Sequence, residues 1–166
     1  VSQDGRENYI ALLMAGDCVG EMSVMDGGLR SATAVAMEPT ETMTLSREDF
    51  LAFLDDHTQV AVQIITLLVR RLRAMDKLVG DMVFLDVPTR VAKKLLELMG
   101  TYGDTHDEEG NFAVPLGQEE LSRLVGSSRE TVSRALTTYR RMGLLTTSHR
   151  KISLTDVNGL QRMASI

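Results

Sequence analysis

The stretch GEMSVMDGGLRSATA, Gly20 to Ala34, sets an arginine directly before a serine, Arg30-Ser31, just after a Gly27-Gly28 turn. A guanidinium offers a planar fork of donors and the serine adds a hydroxyl and a backbone N–H. The pair therefore suits a small anion with several oxygens, such as a phosphate. A second group lies in QEELSRLVGSSRETVSRALTTYRRMGLL, Gln118 to Leu145. There Arg129, Glu130, Ser133 and Arg134 form the polar face of a helical repeat that turns Val132, Ala135 and Leu136 inward. Arginine can donate twice to guanine O6 and N7 and glutamate can accept from cytosine N4, a good bidentate contact giving ~1–3 kcal/mol of discrimination. The same face also fits a plain solvated helix with Glu130 and Arg134 paired at i,i+4.

The elements that must hold these residues can be read from their neighbours. Leu121, Leu124 and Val125 make one short helix, Gly126 suits a left-handed turn, and Ser128 caps the next helix. With small Ser122 this is the spacing of a helix-turn-helix. From Leu144 to Leu154 the pattern alternates like a hairpin with a basic tip, Ser148-His149-Arg150-Lys151, a wing able to reach backbone phosphates. Toward the N-terminus, turn signals at Asp4-Gly5, Gly16-Asp17 and Gly27-Gly28, with Val- and Thr-rich residues between them as in Ser31 to Met43, predict a small antiparallel β-structure. It reads as incomplete, a fragment whose first strands are absent.

Between the two groups the periodicity is helical. Ser46 to Asp49 has the capping-box form ahead of Phe50, Leu51 and Leu54. A long helix is predicted from about Gln59 to Phe84, in which Ala61, Ile65, Leu68, Leu72, Met75, Val79 and Met82 form a heptad seam. That seam suits a homodimer through residues 61–82; alternatively the helix lies on its own core, a contact that Ile64, Leu67 and Leu78 could supply. Asp86 caps the following helix and Pro88 suits its first turn, so the domain boundary falls here. The next helix is predicted over Thr89 to Met99, with Val91, Leu95 and Leu98 inward and Gly100 as its stop, before the polar loop TYGDTHDEEG and the strand-like FAVPL.

Composition removes several classes. Net charge is -5, yet residues 1–87 carry 7 basic against 14 acidic side chains, whereas Gln118 to Lys151 carry 7 against 3. A locally basic rear behind an acidic front fits a DNA-binding module joined to something else. Aromatics at 4% leave no stacking platform for single strands. One cysteine, Cys18, allows no internal disulfide and points to a reducing cytoplasm; His57, His106 and His149 cluster with nothing, so no metal is assigned. No apolar run is long enough for a membrane span. No nucleophile with a neighbouring base, carboxylate pair with metal spacing or P-loop is present, so an enzyme is not expected.

Taken together, GEMSVMDGGLRSATA, VGDMVFLDVPTRVAKKLLEL and VGSSRETVSRAL, in that order, resemble the cyclic AMP receptor protein family, the Crp/Fnr-type bacterial transcription regulators. The resemblance implies an α+β chain: an N-terminally truncated β-roll cyclic-nucleotide-binding domain with a short helix over 1–57, a dimerisation helix over 58–85, and a C-terminal winged helix-turn-helix over 86–166. It implies that Arg30 and Ser31 hold the cyclic phosphate, that Glu21 accepts from the ribose 2'-hydroxyl, and that the Gly20 and Met22 backbone lines the same pocket. Met75 and Asp76 take the place of two hydroxyl residues that meet the adenine in the receptor protein itself. Cyclic AMP is the effector the family implies, but Met75 cannot make that bond and Asp76 could accept from an adenine amino group or select another base, so another base, cyclic di-GMP or no ligand is left open. Asp86 is the hinge position. Gln118, Ser128, Arg129, Glu130, Thr131, Ser133, Arg134, His149, Arg150 and Lys151 are implied to face double-stranded DNA, a palindrome with TGTGA-like half-sites. Gly117 stands where the family carries a hydroxyl, which removes one phosphate contact. The loop Tyr102 to Gly110 is implied as a surface for RNA polymerase. A nucleotide-binding module whose rear domain touches only protein is the other reading.

Overall fold

Residues 9–103 and 105–165 are described in the computed structural model. They fall into two units: residues 13–76, and residues 77–165 together with 9–12. In the second unit the apolar positions of three helices and a small sheet converge on one core. Helix α4, Val87–Tyr102, turns Val91, Ala92, Leu95 and Leu98 inward. Against it pack α5, Gln118–Val125, and α6, Arg129–Arg141, through Leu121, Val125, Val132, Leu136 and Tyr139. Strands β1, Phe112–Val114, β2, Leu145–Ser148, and β3, Lys151–Leu154, form an antiparallel sheet in the order β1-β3-β2. Leu145 stands opposite Leu154 and Ser148 opposite Lys151, so the hairpin tip is His149-Arg150. A helix that the local pattern did not announce, α7 at Val157–Ala164, closes the core with fully buried Leu160. Tyr9 and Leu12 also pack against this core.

Gly100 does not stop α4. The helix runs on to Tyr102 and ends at Gly103, whose φ is 59°. An interior glycine costs about 1 kcal/mol, and half-buried Tyr102, packed on the core, offsets it.

Helix α3, Thr58–Phe84, is continuous. Its seam is largely open to solvent, with Ile65 57%, Leu72 60%, Met75 50% and Val79 59% exposed, while Ile64, Leu67 and Leu78 are half-buried. Near its end two ion pairs join it to α4: Lys77 to Glu97 at 2.8 Å and Lys93 to Asp81 at 2.5 Å. Burial pushes the Glu97 carboxyl up, but Lys77 and Lys94 outweigh this and hold it below its ordinary value.

In residues 13–76 the expected turns at Gly16-Asp17 and Gly27-Gly28 form, while the Asp4-Gly5 turn lies outside the described residues. Asp17 Oδ2 accepts from the Met14 N–H at 2.8 Å, and Gly27 closes a short helix, α1 at Glu21–Asp26, with φ 72°. Ser46 caps α2, Arg47–Asp56, by accepting from the Asp49 N–H at 3.0 Å. The expected strands do not form: Ser31 to Met43 belongs to no ladder, and no strand occurs among the described residues of 9–57. A strand is stabilised by a hydrogen-bonded neighbour and a buried face. Here no neighbouring segment pairs with it, and Val35 and Met43 are 73% and 101% exposed.

Asp86 begins α4 by accepting from the Thr89 N–H at 2.9 Å. Thr89, through its hydroxyl first and its backbone N–H second, holds the Asp86 carboxyl below its ordinary 3.8. A carboxyl lowered by folding stabilises the fold fully above its unfolded value, and this stabilisation is lost as pH falls through the folded value. Asp86→Ala is expected to cost about 1 kcal/mol near neutral pH. The gap between wild type and variant should close as urea titrations are repeated at pH below 3.8.

Candidate functional site

The loop from Gly20 to Ser31 is built around a glycine. Gly20 precedes α1 with φ 92°, a left-handed conformation, and a Cβ placed on it would lie 1.3 Å from Arg30 Nη1. The Arg30 guanidinium thus occupies the space over the Gly20 backbone that any side chain would fill. Glu21, the next residue, is only 3% exposed and forms an ion pair with Arg71 of α3. Arg71 also donates from Nη2 to the Cys18 carbonyl at 2.6 Å. The other Glu21 oxygen, Oε2, is buried without a hydrogen-bond partner. Ser31 is exposed, and its hydroxyl lies 3.7 Å from Met22 Sδ.

The structure therefore brings Gly20 to Arg30, Met22 to Ser31, and Glu21 to Arg71. The last residue was not singled out from sequence. A signal was present: Arg71 lies four residues before Met75, hence one turn away on the same side of α3. Met75 and Asp76 are both exposed on that helix. Chemically, the loop offers a guanidinium beside a helix start and a carboxylate oxygen with spare accepting capacity.

On the second unit, Gly126 with φ 66° makes the turn between α5 and α6, and a Cβ there would meet Met82 Cε of α3 at 2.4 Å. Ser128 caps α6, its hydroxyl accepting from the Thr131 N–H at 3.2 Å. Arg129, Glu130 and Arg134 are exposed, while Ser133 and Thr131 are half-buried. The backbone N–H of Glu130 itself and then the Ser128 hydroxyl hold the Glu130 carboxyl below its ordinary value, with the charges of Arg129 and Arg134 adding to this. It stays an acceptor throughout the physiological range. Arg134 Nη2 donates to Thr131 Oγ1 at 3.3 Å.

At the wing tip His149 and Arg150 are exposed and Lys151 half-buried, and Gln118 opens α5 half-buried. Arg150 Nη2 meets Glu120 Oε1 at 2.8 Å. In the loop before β1, Asp107 accepts from the backbone N–H groups of Glu109 at 3.0 Å and Asn111 at 2.8 Å, which fixes a turn. Among the described residues, no three His, Cys, Asp or Glu are grouped to hold a metal ion, and no helix is long and apolar enough to cross a membrane.

Residues 89–163 match the Crp-like helix-turn-helix domain and residues 1–57 the cyclic nucleotide-binding domain. The chain is 33% identical over 161 residues to the CRP-like cAMP-activated global transcriptional regulator of Mycobacterium tuberculosis, covering 97% of this chain and 72% of that protein. It is 38% identical over 163 residues to the cyclic AMP receptor protein of Thermus thermophilus, covering 96% and 71%. Among solved structures, a CRP/FNR-family transcriptional regulator of Thermus thermophilus is similar at 31% identity and TM-score 0.56, over 60% of this chain and 50% of that one. The c-di-GMP responsive global regulator CLP of Xanthomonas campestris shares the fold at TM-score 0.71 and 22% identity, over 92% and 76%. The expected fold class, a cyclic-nucleotide-binding domain followed by a helix-turn-helix, is borne out by these matches, although the described residues of the first domain form no sheet.

Proposed function

Because the chain belongs to the Crp/Fnr family of transcription regulators, whose cyclic-nucleotide-binding and helix-turn-helix domains it carries, we propose that it acts as a homodimer whose affinity for palindromic DNA is set by a cyclic nucleotide, cyclic AMP first. The observation that carries the effector reading is the pair of Arg30 over Gly20 and the buried, unpartnered Glu21 Oε2. A cyclic nucleotide presents both complements, an anionic phosphodiester for the guanidinium and a ribose hydroxyl able to donate to the carboxylate. Arg71 anchors Glu21 by the same carboxylate's other oxygen, leaving Oε2 for that bond. Gly20, Met22 and Ser31 complete the set around the phosphate.

A second reading of the effector rests on Asp76. An exposed carboxylate on α3 can accept from two adjacent donors, and guanine presents such a pair at N1 and N2, whereas adenine offers a single amino group. Met75 beside it supplies only an apolar contact. Cyclic GMP and cyclic di-GMP are therefore the alternatives to cyclic AMP.

On the DNA side, Arg129, Glu130 and Arg134 are assigned to base edges in TGTGA-like half-sites. Gln118, Ser128, Thr131, Ser133, His149, Arg150 and Lys151 are assigned to the groove wall and backbone. The fixed turn within residues 102–110 is the surface offered to RNA polymerase. The exposed α3 seam supports dimerisation through residues 61–82, since contiguous apolar side chains on a helix want a partner. Asp86 then serves as hinge between the domains 58–85 and 86–166. Coupling requires that the effector bind the DNA-competent arrangement more tightly than the other.

Calorimetry with cyclic AMP, cyclic GMP and cyclic di-GMP tests the site. One of the three should bind wild type, and Arg30→Ala should abolish the heat; retained affinity in that variant sinks the assignment. Leu72→Glu should convert a dimer to a monomer in sedimentation, and a wild-type monomer under effector would remove the dimer. Arg129→Ala should cost about 1–3 kcal/mol at a single guanine of the half-site. A uniform loss on all sequences in a gel-shift series would make Arg129 a phosphate contact.

A further inference from the structure

Among the described residues Arg150 is the sole non-glycine with positive φ, at 52°. Side chains other than Asn, Asp and His seldom adopt that conformation, so the wing turn holds it against a cost. The wing tip lies against the start of α5. The Arg150 Cα lies 3.9 Å from where a Cβ on Gly117 would stand. Between them sits Glu120, whose Oε2 accepts from the Gly117 N–H at 3.1 Å and whose Oε1 meets Arg150 Nη2 at 2.8 Å. A Cβ at Gly117 would come within 2.7 Å of that carboxylate, so the glycine gives Glu120 its place.

The two partners differ in exposure. The Glu120 side chain is 18% exposed and that of Arg150 58%. The carboxylate is thus committed to internal partners, while the guanidinium is held at one nitrogen and keeps further donors for solvent. Building on the DNA-binding reading above, we propose that Glu120 is a positioning residue for the wing. It fixes the Arg150 guanidinium so that its free donors meet a DNA phosphate in one orientation, a contact that replaces the hydroxyl missing at Gly117. A flexible arginine must lose rotamer freedom on reaching a phosphate; one already clamped has lost part of it before binding.

The test uses the full chain with its effector, a palindromic duplex and a random duplex, across a salt series. Glu120→Gln keeps the size and a carbonyl for the Gly117 N–H but removes the charge that holds Arg150. It should weaken binding to both duplexes alike, by about three- to tenfold, and make the logarithmic salt slope shallower by about one unit. Arg150→Ala should do the same, and Glu120→Gln/Arg150→Ala should be no weaker than Arg150→Ala alone. Arg150→Lys, which keeps the charge and loses the fork, should also weaken binding and serves if Glu120→Gln melts early. Tighter or unchanged binding by Glu120→Gln, or a loss that adds fully to that of Arg150→Ala, overturns the proposal. In the latter case Glu120 acts only as the cap of α5. Arg129→Ala separates the two levels. If it loses guanine specificity while Glu120→Gln binds as wild type, the DNA reading stands and this inference falls; a wild-type protein that retards no duplex overturns both.

Discussion

Asp86 divides what would otherwise be one helix. A helix propagates for as long as its backbone groups have no better partner than the next turn, so stopping one and starting another within a few residues requires the loose ends to be satisfied. Here Arg90 Nη1 donates to the Leu85 carbonyl at 3.0 Å, and Asp86 accepts from the Thr89 N–H at 2.9 Å. Pro88 has no N–H to satisfy. Every helix of the DNA-binding unit packs on α4, and α4 is tied to the last turns of α3 by Lys93–Asp81 and Lys77–Glu97. The position of α6 relative to the last turns of α3 therefore depends on how a two-residue break is hydrogen-bonded.

Tyr139 lies on the inner face of that helix, and its hydroxyl is buried without a partner. Burial first, and the negative charge of Asp86 second, push it up to about 12, so it is neutral at any physiological pH. The phenol ring fills the core between α4 and α6 and gives no charge to the junction. The electrostatics of the junction between α3 and α4 are then left to Asp86, Arg90 and the two lysine pairs.

The helix-turn-helix was legible in the sequence because its instructions are local. Ser128 caps, Gly126 turns, and Val132, Ala135 and Leu136 fall on one face, all within a few residues of the structure they dictate. What the sequence withheld depends on residues far apart. Leu160 holds its helix in place only by meeting the α4 side of the core, and Gly100 reads as a stop until Tyr102 is seen to dock. Segments such as Ser31 to Met43 have strand-like side chains, but a ladder needs a partner that no local pattern encodes. Likewise Glu21 and Arg71 are 50 positions apart, and only folding shows that the acid beside Gly20 is held by the long helix. In the candidate site, residue types were legible and partnerships were not.

The first unit, residues 13–76, holds together without a fully buried apolar side chain. Among its described residues the buried one is Glu21, a charged group, while the buried apolar side chains lie between Val91 and Leu160. Cohesion in residues 13–76 thus comes from capping bonds, an ion pair and half-buried contacts, which give low local opening free energies. On the effector reading proposed above, a ligand that satisfied Glu21 and Arg30 would supply a share of that cohesion, by mass action on the folded form. For such a unit, occupancy and durability are one variable. On that reading, slow exchange of the loop's backbone amides and resistance of its peptide bonds to proteases would both follow the concentration of the bound ligand.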